Sequence, residues 1–318
     1  MKAVVAGASG FMGRRIIAAL SADGDEVRTI GRTGDAVWNN ASAIRREVDG
    51  AGLVVNLAGK SVDCRYGRAN RAEILRSRVE TTGALARAIG QSEDPPSLWL
   101  NASTATIYRH ADDRPMTEAD GELGQGFSVG VARAWEDAFF APDLPATRRV
   151  ALRTAITLGN GSALIPLLRL ARVGMGGAQL DGRWPASRSR LAAGTYHRFG
   201  TPHGRQRFSW VHLDDVVGIV RFLREHRELE GIVNVSSPNP VDSVQVMRVI
   251  RRVLGVPVGV PLPRAVLELG AFIIRTETEL VLKSRWVVPD RLLAAGYRFR
   301  YPELEPAIRQ IVDERRAS

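Results

Sequence analysis

Lys2-Ala-Val-Val-Ala-Gly7-Ala-Ser-Gly10-Phe-Met-Gly13 opens the chain, and its reading decides the fold. Lys2–Ala6 is an apolar run that reads as a buried strand, and three glycines follow it without a spacer. Gly7 permits a tight turn, Gly10 lets the backbone approach a pyrophosphate, and Gly13 lets the next helix pack closely on the strand. A helix opening at Phe11 and Met12, just after Ser9, offers free N–H groups and the positive end of its dipole to phosphate. Three glycines at this spacing are weak evidence alone; with a strand before and a helix after, they predict a dinucleotide-binding βαβ unit. A glycine-rich turn without a ligand is the alternative.

The next strand, Glu26–Ile30, runs into Gly31-Arg32-Thr33, and the first acid after it is Asp35. A site for NAD places a carboxylate at this strand end to accept from the ribose 2′-hydroxyl. Here Arg32 stands there instead, with a planar fork suited to a 2′-phosphate, so the expected cofactor is NADP. The other reading of Arg32 is a solvated loop arginine. After the strand Leu53–Leu57, Asn56-Leu57-Ala58-Gly59 provides a small residue and a glycine where a ligand can lie against the backbone.

Working outward, strands and helices alternate: a long helix near 69–89, a strand at 98–103, a helix at 129–140 and a strand at 148–154. The strands are continuous apolar runs, as in a parallel sheet covered on both faces. The expected class is α/β, a Rossmann doubly wound parallel sheet over residues 1–160 with a smaller C-terminal α/β substrate lobe over 161–318. Residues 208–213 read as one strand, and 208–235 as a segment that can pack back on the main sheet. Residues 174–207 carry no clear periodicity, as in a loop that shapes a site.

Composition narrows the function. The net charge is +10, but 41 of the 44 basic residues are arginines scattered through helices and loops rather than gathered in one run. That argues against a nucleic-acid partner. Apolar content of 45% and charge of 25% are those of a globular protein. The one cysteine, Cys64, rules out an intramolecular disulfide and fits a reducing cytoplasm. The direct start on a strand gives no signal peptide, and no apolar run is long enough for a membrane span. The expected partner is a small-molecule substrate, with a homodimer left open; no metal-ligand set is present.

Several motifs resemble the extended branch of the short-chain dehydrogenase/reductase superfamily. Besides Gly7–Gly13 and Asn56–Gly59, they are Arg71-Ala-Glu73-Ile-Leu-Arg-Ser-Arg78-Val-Glu-Thr-Thr82, Trp135-Glu136, Arg153-Thr-Ala-Ile-Thr-Leu-Gly159 and Ser209–Asp215. The last is Glu279-Leu-Val-Leu-Lys-Ser-Arg-Trp-Val-Val-Pro-Asp-Arg-Leu-Leu-Ala-Ala-Gly296. More narrowly, they look like the atypical nucleoside-diphosphate-sugar epimerase-like group of the NAD-dependent epimerase/dehydratase superfamily, a group also labelled cell-division inhibitors. The longer segment 179–207 is the departure from its pattern.

The resemblance implies that Glu73 and Arg78 lie beside the cofactor's ribose–phosphate portion and that Arg153–Ile156 lie near the nicotinamide. Five residues apart, Glu73 and Arg78 are about 140° apart around a helix, so an ordinary surface pair with other neighbours is the alternative. In Asn101-Ala-Ser103-Thr104-Ala-Thr-Ile-Tyr108, Thr104 falls at the family's active hydroxyl, with Ser103 and Tyr108 as further catalytic candidates. The family's Tyr-x-x-x-Lys pair is missing from the chain. Its Tyr position falls on Phe127 or Ser128 and its Lys position on Val131 or Ala132. His110, Cys64-Arg65-Tyr66, Arg133 and His212 are replacements on paper, although His212 before Asp214-Asp215 also reads as a helix cap. The expected function is an NADP(H)-binding oxidoreductase or nucleotide-sugar epimerase-like protein; the alternative is a non-catalytic NADP(H)-binding redox sensor or interaction module.

Overall fold

The computed structural model describes residues 1–273 and 276–317. In chain order the elements are β1 (Lys2–Ala6), α1 (Phe11–Ala22), β2 (Glu26–Gly31), β3 (Ala36–Val37), α2 (Ala41–Val48), β4 (Leu53–Asn56), α3 (Arg68–Gly90), β5 (Leu98–Thr104), α4 (Phe127–Phe140) and β6 (Arg148–Thr154). The second part holds β7 (Ile156–Leu158), α5 (Leu164–Arg172), α6 (Arg188–Ala192), β8 (Arg207–Phe208), β9 (Trp210–His212), α7 (Leu213–Glu225), β10 (Gly231–Val235), β11 (Val241–Asp242), α8 (Ser243–Leu254), α9 (Arg264–Ile273), α10 (Glu279–Leu282), α11 (Asp290–Ala294) and α12 (Leu304–Ala317).

Among the described residues the main sheet has seven strands in the order β10-β6-β5-β4-β1-β2-β3, and its pairings are parallel. Successive strand residues face opposite layers. Ala3, Val5, Leu53, Val55, Leu98 and Leu100 pack with Ile16 and Leu20 of α1 and with Val216, Val220 and Leu223 of α7. Val4, Ala6, Val54 and Trp99 pack on the other side with Ile44 of α2, Leu85 and Ile89 of α3, and Phe139 of α4. Burial on both faces explains why these strands are apolar without alternation. The chain leaves β1 toward β2 and β3, then crosses to β4 and onward to β10. The strand order therefore reverses between β1 and β4, where open α/β sheets bind ligands at the carboxyl ends of their strands.

The last strand of that sheet, β10, comes from the second half of the chain and pairs with β6. A third core packs α5, α8 and α12 around Trp210 of β9. Two details differ from the sequence expectation. Residues 208–213 are not one strand: β8 pairs with β11 and β9 with β7. The break falls at Ser209, whose hydroxyl donates to Arg285 O at 2.7 Å and accepts from Val287 N at 2.7 Å. The helix expected at 129 begins at Phe127, because Gly126 turns the chain at φ +102° and Phe127 N donates to Gly194 O at 3.0 Å. No helix among the described residues is long and apolar enough to cross a membrane.

Candidate active site

The glycine loop is built so tightly that side chains are excluded. Gly7 adopts φ +82°, and a Cβ there would lie 2.7 Å from the Leu57 carbonyl carbon. A Cβ on Gly13 would stand 2.4 Å from Gly7 O. Gly10 donates to Gly7 O at 3.1 Å and serves as N-cap of α1 without a side-chain cap. The first N–H groups of the helix are thus presented at the mouth of the loop, with Ser9 and Gly10 exposed beside them. Phe11 packs where Gly159 leaves room, since a Cβ on Gly159 would meet its Cζ at 2.7 Å. Met12 takes a weak contact from Thr157 Oγ1 at 3.8 Å, beside Ile156 on β7.

Arg32 is exposed at the end of β2, with no ion pair or hydrogen bond among the described residues. Asp35 does not compete for the same space. Its carboxylate turns back to accept from Thr29 N at 2.8 Å and Thr29 Oγ1 at 2.7 Å, which holds it below the usual carboxylate range. The strand end therefore presents a free guanidinium and an acid already committed elsewhere.

The loop after β4 completes this edge. Leu57 N donates to Ala6 O at 2.9 Å, and Ala58 N donates to Asn56 Oδ1 at 3.0 Å. Beneath Gly59 lies Arg78, which donates to Lys60 O and Ile74 O, both at 3.0 Å, and sits 4.9 Å from the Trp135 ring centre. No carboxylate pairs with it among the described residues, and burial pushes it down to about 10. Glu73 lies elsewhere on α3: it chelates Arg76 at 2.7 and 2.9 Å on the solvent side. Glu73 and Arg78 are not brought together, as their spacing around the helix requires.

The hydroxyl candidates separate just as sharply. Ser103 donates to Glu136 Oε1 at 2.5 Å, and Glu136 holds Arg153 through bonds of 2.9 and 2.7 Å, all buried. Tyr108 is 1% exposed; its hydroxyl donates to Asn234 Oδ1 at 2.8 Å, and the Arg153 guanidinium stands 4.9 Å over its ring. Both hydroxyls are consumed by a polar network that ties β5, β6 and β10 together. Thr104, at the end of β5, is only partly buried, and its Oγ1 accepts from Thr106 N at 3.1 Å while keeping its own proton free to donate. His212 caps α7, its Nδ1 accepting from Asp214 N at 3.2 Å.

Near the Thr104 turn stand Ser128, Tyr66 and His110, which the sequence already named, and Glu279, Lys283 and Arg285, which it offered only inside a family motif. Ser128 donates to Glu279 Oε2 at 2.8 Å and stands close to Tyr66. Tyr66 packs edge-on against Phe127 at 5.1 Å, and burial raises its phenol. Lys283 donates to Thr106 O at 2.7 Å, and Arg285 to Thr106 Oγ1 at 3.3 Å. The segment 178–207 covers this cluster. Asp181 anchors it to Arg264 at 2.6 Å, Phe199 stacks on His110 at 4.8 Å, and His197 Nε2 reaches 3.7 Å from Glu279 Oε2. A signal was present in the sequence: Glu279 and Lys283 stand four apart, and Lys283 is one of only three lysines in an arginine-rich chain.

A doubly wound sheet with an uncapped helix N-terminus at its switch point, and a hydroxyl-bearing turn at the end of β5, defines a short-chain dehydrogenase/reductase-type nucleotide-binding protein. The chain belongs to the NAD dependent epimerase/dehydratase family. The sequence model of that family matches residues 3–126, and a domain of unknown function, DUF1731, matches residues 262–311. The chain is 30% identical to the epimerase family protein SDR39U1 of Bos taurus, over 98% of its length and 100% of the relative. It is 28% identical to the epimerase family protein YfhF of Bacillus subtilis, over 99% of each chain. The crystal structure of human SDR39U1 (isoform 2) with NADPH superposes with a TM-score of 0.82 at 28% identity, covering 98% of this chain and 99% of that one. A UDP-glucose 4-epimerase from Thermus thermophilus in complex with NAD shares the fold, with a TM-score of 0.73 at 16% identity.

Proposed function

We propose that the chain binds NADP(H) and transfers hydride to or from a small carbonyl or alcohol substrate, as an oxidoreductase or in the transient manner of a sugar-nucleotide epimerase. One observation carries the reading: the uncapped start of α1, framed by Gly7 and Gly13, follows β1 where it pairs with β2, and Arg32 just past β2 has no ion pair or hydrogen bond among the described residues. The human relative crystallised with NADPH supports the same cofactor.

In this reading Gly7, Ser9, Gly10, Phe11, Met12 and Gly13 cradle the pyrophosphate on main-chain N–H groups. Arg32 takes the 2′-phosphate, and Leu57, Ala58 and Gly59 lie along the adenosine side, with the Arg78 charge beneath them. Ile156 borders the nicotinamide. Glu73, engaged with Arg76, is left out of the set. When bound, NADPH supplies the hydride. Thr104 donates a hydrogen bond to the substrate oxygen, and the cover formed by 178–207 keeps water from it. The single thiol, Cys64, suits a reducing cytoplasm.

A second reading, a non-catalytic NADP(H) sensor, is favoured by the missing Tyr-x-x-x-Lys. The test is NADPH oxidation against a panel of sugar nucleotides and small carbonyls. Turnover that Thr104→Ala lowers about 100-fold, with NADPH binding kept, is the expected result. Bound NADPH that no carbonyl oxidises turns the account to the sensor.

A further inference from the structure

Two ionisable residues of one short turn reach two different parts of the nucleotide-binding half. Glu279 opens α10 and meets Ser128 at the start of α4; Lys283 closes α10 and meets Thr106 after β5. Lys283 is 4% exposed. An ammonium has three N–H donors, and among the described residues Thr106 O is the one acceptor for them. No carboxylate lies within ion-pair distance of it there, and the strongest charge acting on it from its own segment is another cation, Arg285. Burying an ammonium this way is costly, so a buried lysine of this kind calls for a partner absent from the folded chain.

The location says what that partner is. Thr104 Oγ1 accepts from Thr106 N and Lys283 Nζ donates to Thr106 O, so Lys283 is fixed to the same turn beyond β5 that Thr104 caps. The ordinary explanation, a lysine merely bracing the turn, leaves its other two donors unused. The groups that face it are Arg285 and Glu279 from its own segment, His110 from the loop after β5, and His197 from the cover.

We propose that Lys283 is the proton donor to the substrate oxygen, working beside Thr104 in a chain that lacks Tyr-x-x-x-Lys. The inference rests on the hydride-transfer reading given above. In the reducing direction bound NADPH would supply the hydride to the carbonyl carbon, and the oxygen, keeping the C–O π pair, would take its proton from the Lys283 ammonium. The products are the alcohol, the oxidised nicotinamide and a neutral amine that regains a proton from solvent; oxidation runs the same steps backwards. Burial first, then Arg285, push Lys283 down to about 8 against the pull of Glu279, which leaves it mostly charged at neutral pH yet able to give up its proton.

Nucleotide binding tests this without any substrate. The oxidised nicotinamide ring carries a positive charge that the reduced ring lacks, so a neighbouring ammonium disfavours NADP+ alone. The ratio of Kd for NADP+ to Kd for NADPH is measured by calorimetry from pH 7 to 9.5. It should fall about tenfold as Lys283 loses its proton. The 2′-phosphate is common to both nucleotides and cancels, while burial lowers His110 and His197 to titrate below this range. In Lys283→Met, and in Lys283→Gln, which keeps a donor for Thr106 O, the ratio should be flat. A flat ratio in the unaltered protein, or the same slope in both variants, overturns the inference. Failure to bind either nucleotide overturns the hydride-transfer reading instead, and this inference falls with it.

Discussion

The two halves of the site are made of different material. The nucleotide half is backbone: glycines that exclude side chains, an uncapped helix start, and one free arginine on a strand end. The half that we propose for substrate is side chain: Thr104 on β5, Ser128 on α4, Glu279 and Lys283 at the two ends of α10, and His197 from the covering segment. A backbone site is specified by a few adjacent residues. A side-chain site needs distant parts of the chain to arrive together, so it can be rebuilt without disturbing the cofactor. That difference explains how the glycine fingerprint stands intact in a chain without Tyr-x-x-x-Lys.

The largest expected effect lies between the halves. Glu136→Leu leaves the Arg153 charge buried without its partner and should cost about 3–5 kcal/mol in denaturant unfolding. Adding Arg153→Met should recover much of the loss. If Glu136→Leu is nearly neutral, the network that fixes β5 against β6 is not what holds the two halves in register. Next, Gly13→Ala places a methyl group against Gly7 O and should weaken NADPH about 100-fold, near 2.7 kcal/mol, with the far-UV circular dichroism unchanged. Unaltered affinity would show that the loop does not cradle the nucleotide. Arg32→Ala should weaken NADPH about tenfold and NADH hardly at all; equal loss for both sinks the 2′-phosphate argument.

The smallest effect is one of pH. The carboxyl of Asp35 is held below its ordinary value by Thr29, first through the hydroxyl and then through the backbone N–H. Its folded value lies below its unfolded one, so its contribution is complete above the unfolded value and is lost as pH falls through the folded one. Asp35→Asn should lower stability by under about 1 kcal/mol at pH 7, and the difference should vanish toward pH 2. A difference that persists in acid would locate the effect in packing at the end of β2 rather than in charge.

The nucleotide half was legible because its determinants are local. Gly7, Gly10 and Gly13 follow a strand directly, and Arg32 follows Gly31, so spacing alone carries the geometry. The sheet was legible for a similar reason: burial on both faces leaves apolar runs such as Leu98–Leu100 without alternation. The substrate half was not. Lys283 meets Thr106 across 177 positions and Glu279 meets Ser128 across 151, distances over which no periodicity carries information. Ser103 and Tyr108 looked as available as Thr104 because their partners, Glu136 and Asn234, lie 33 and 126 positions away. The irregular 174–207 stretch read as a loop because its anchors, Arg264 and His110, lie outside it.

The measurement that bears most directly on the central claim is a titration of the purified protein, stripped of carried-over nucleotide, with NADPH and with NADH, following nicotinamide fluorescence. The account predicts saturable, tight NADPH binding and NADH binding weaker by about tenfold or more. Equal affinity for the two, or no binding of either, would contradict it.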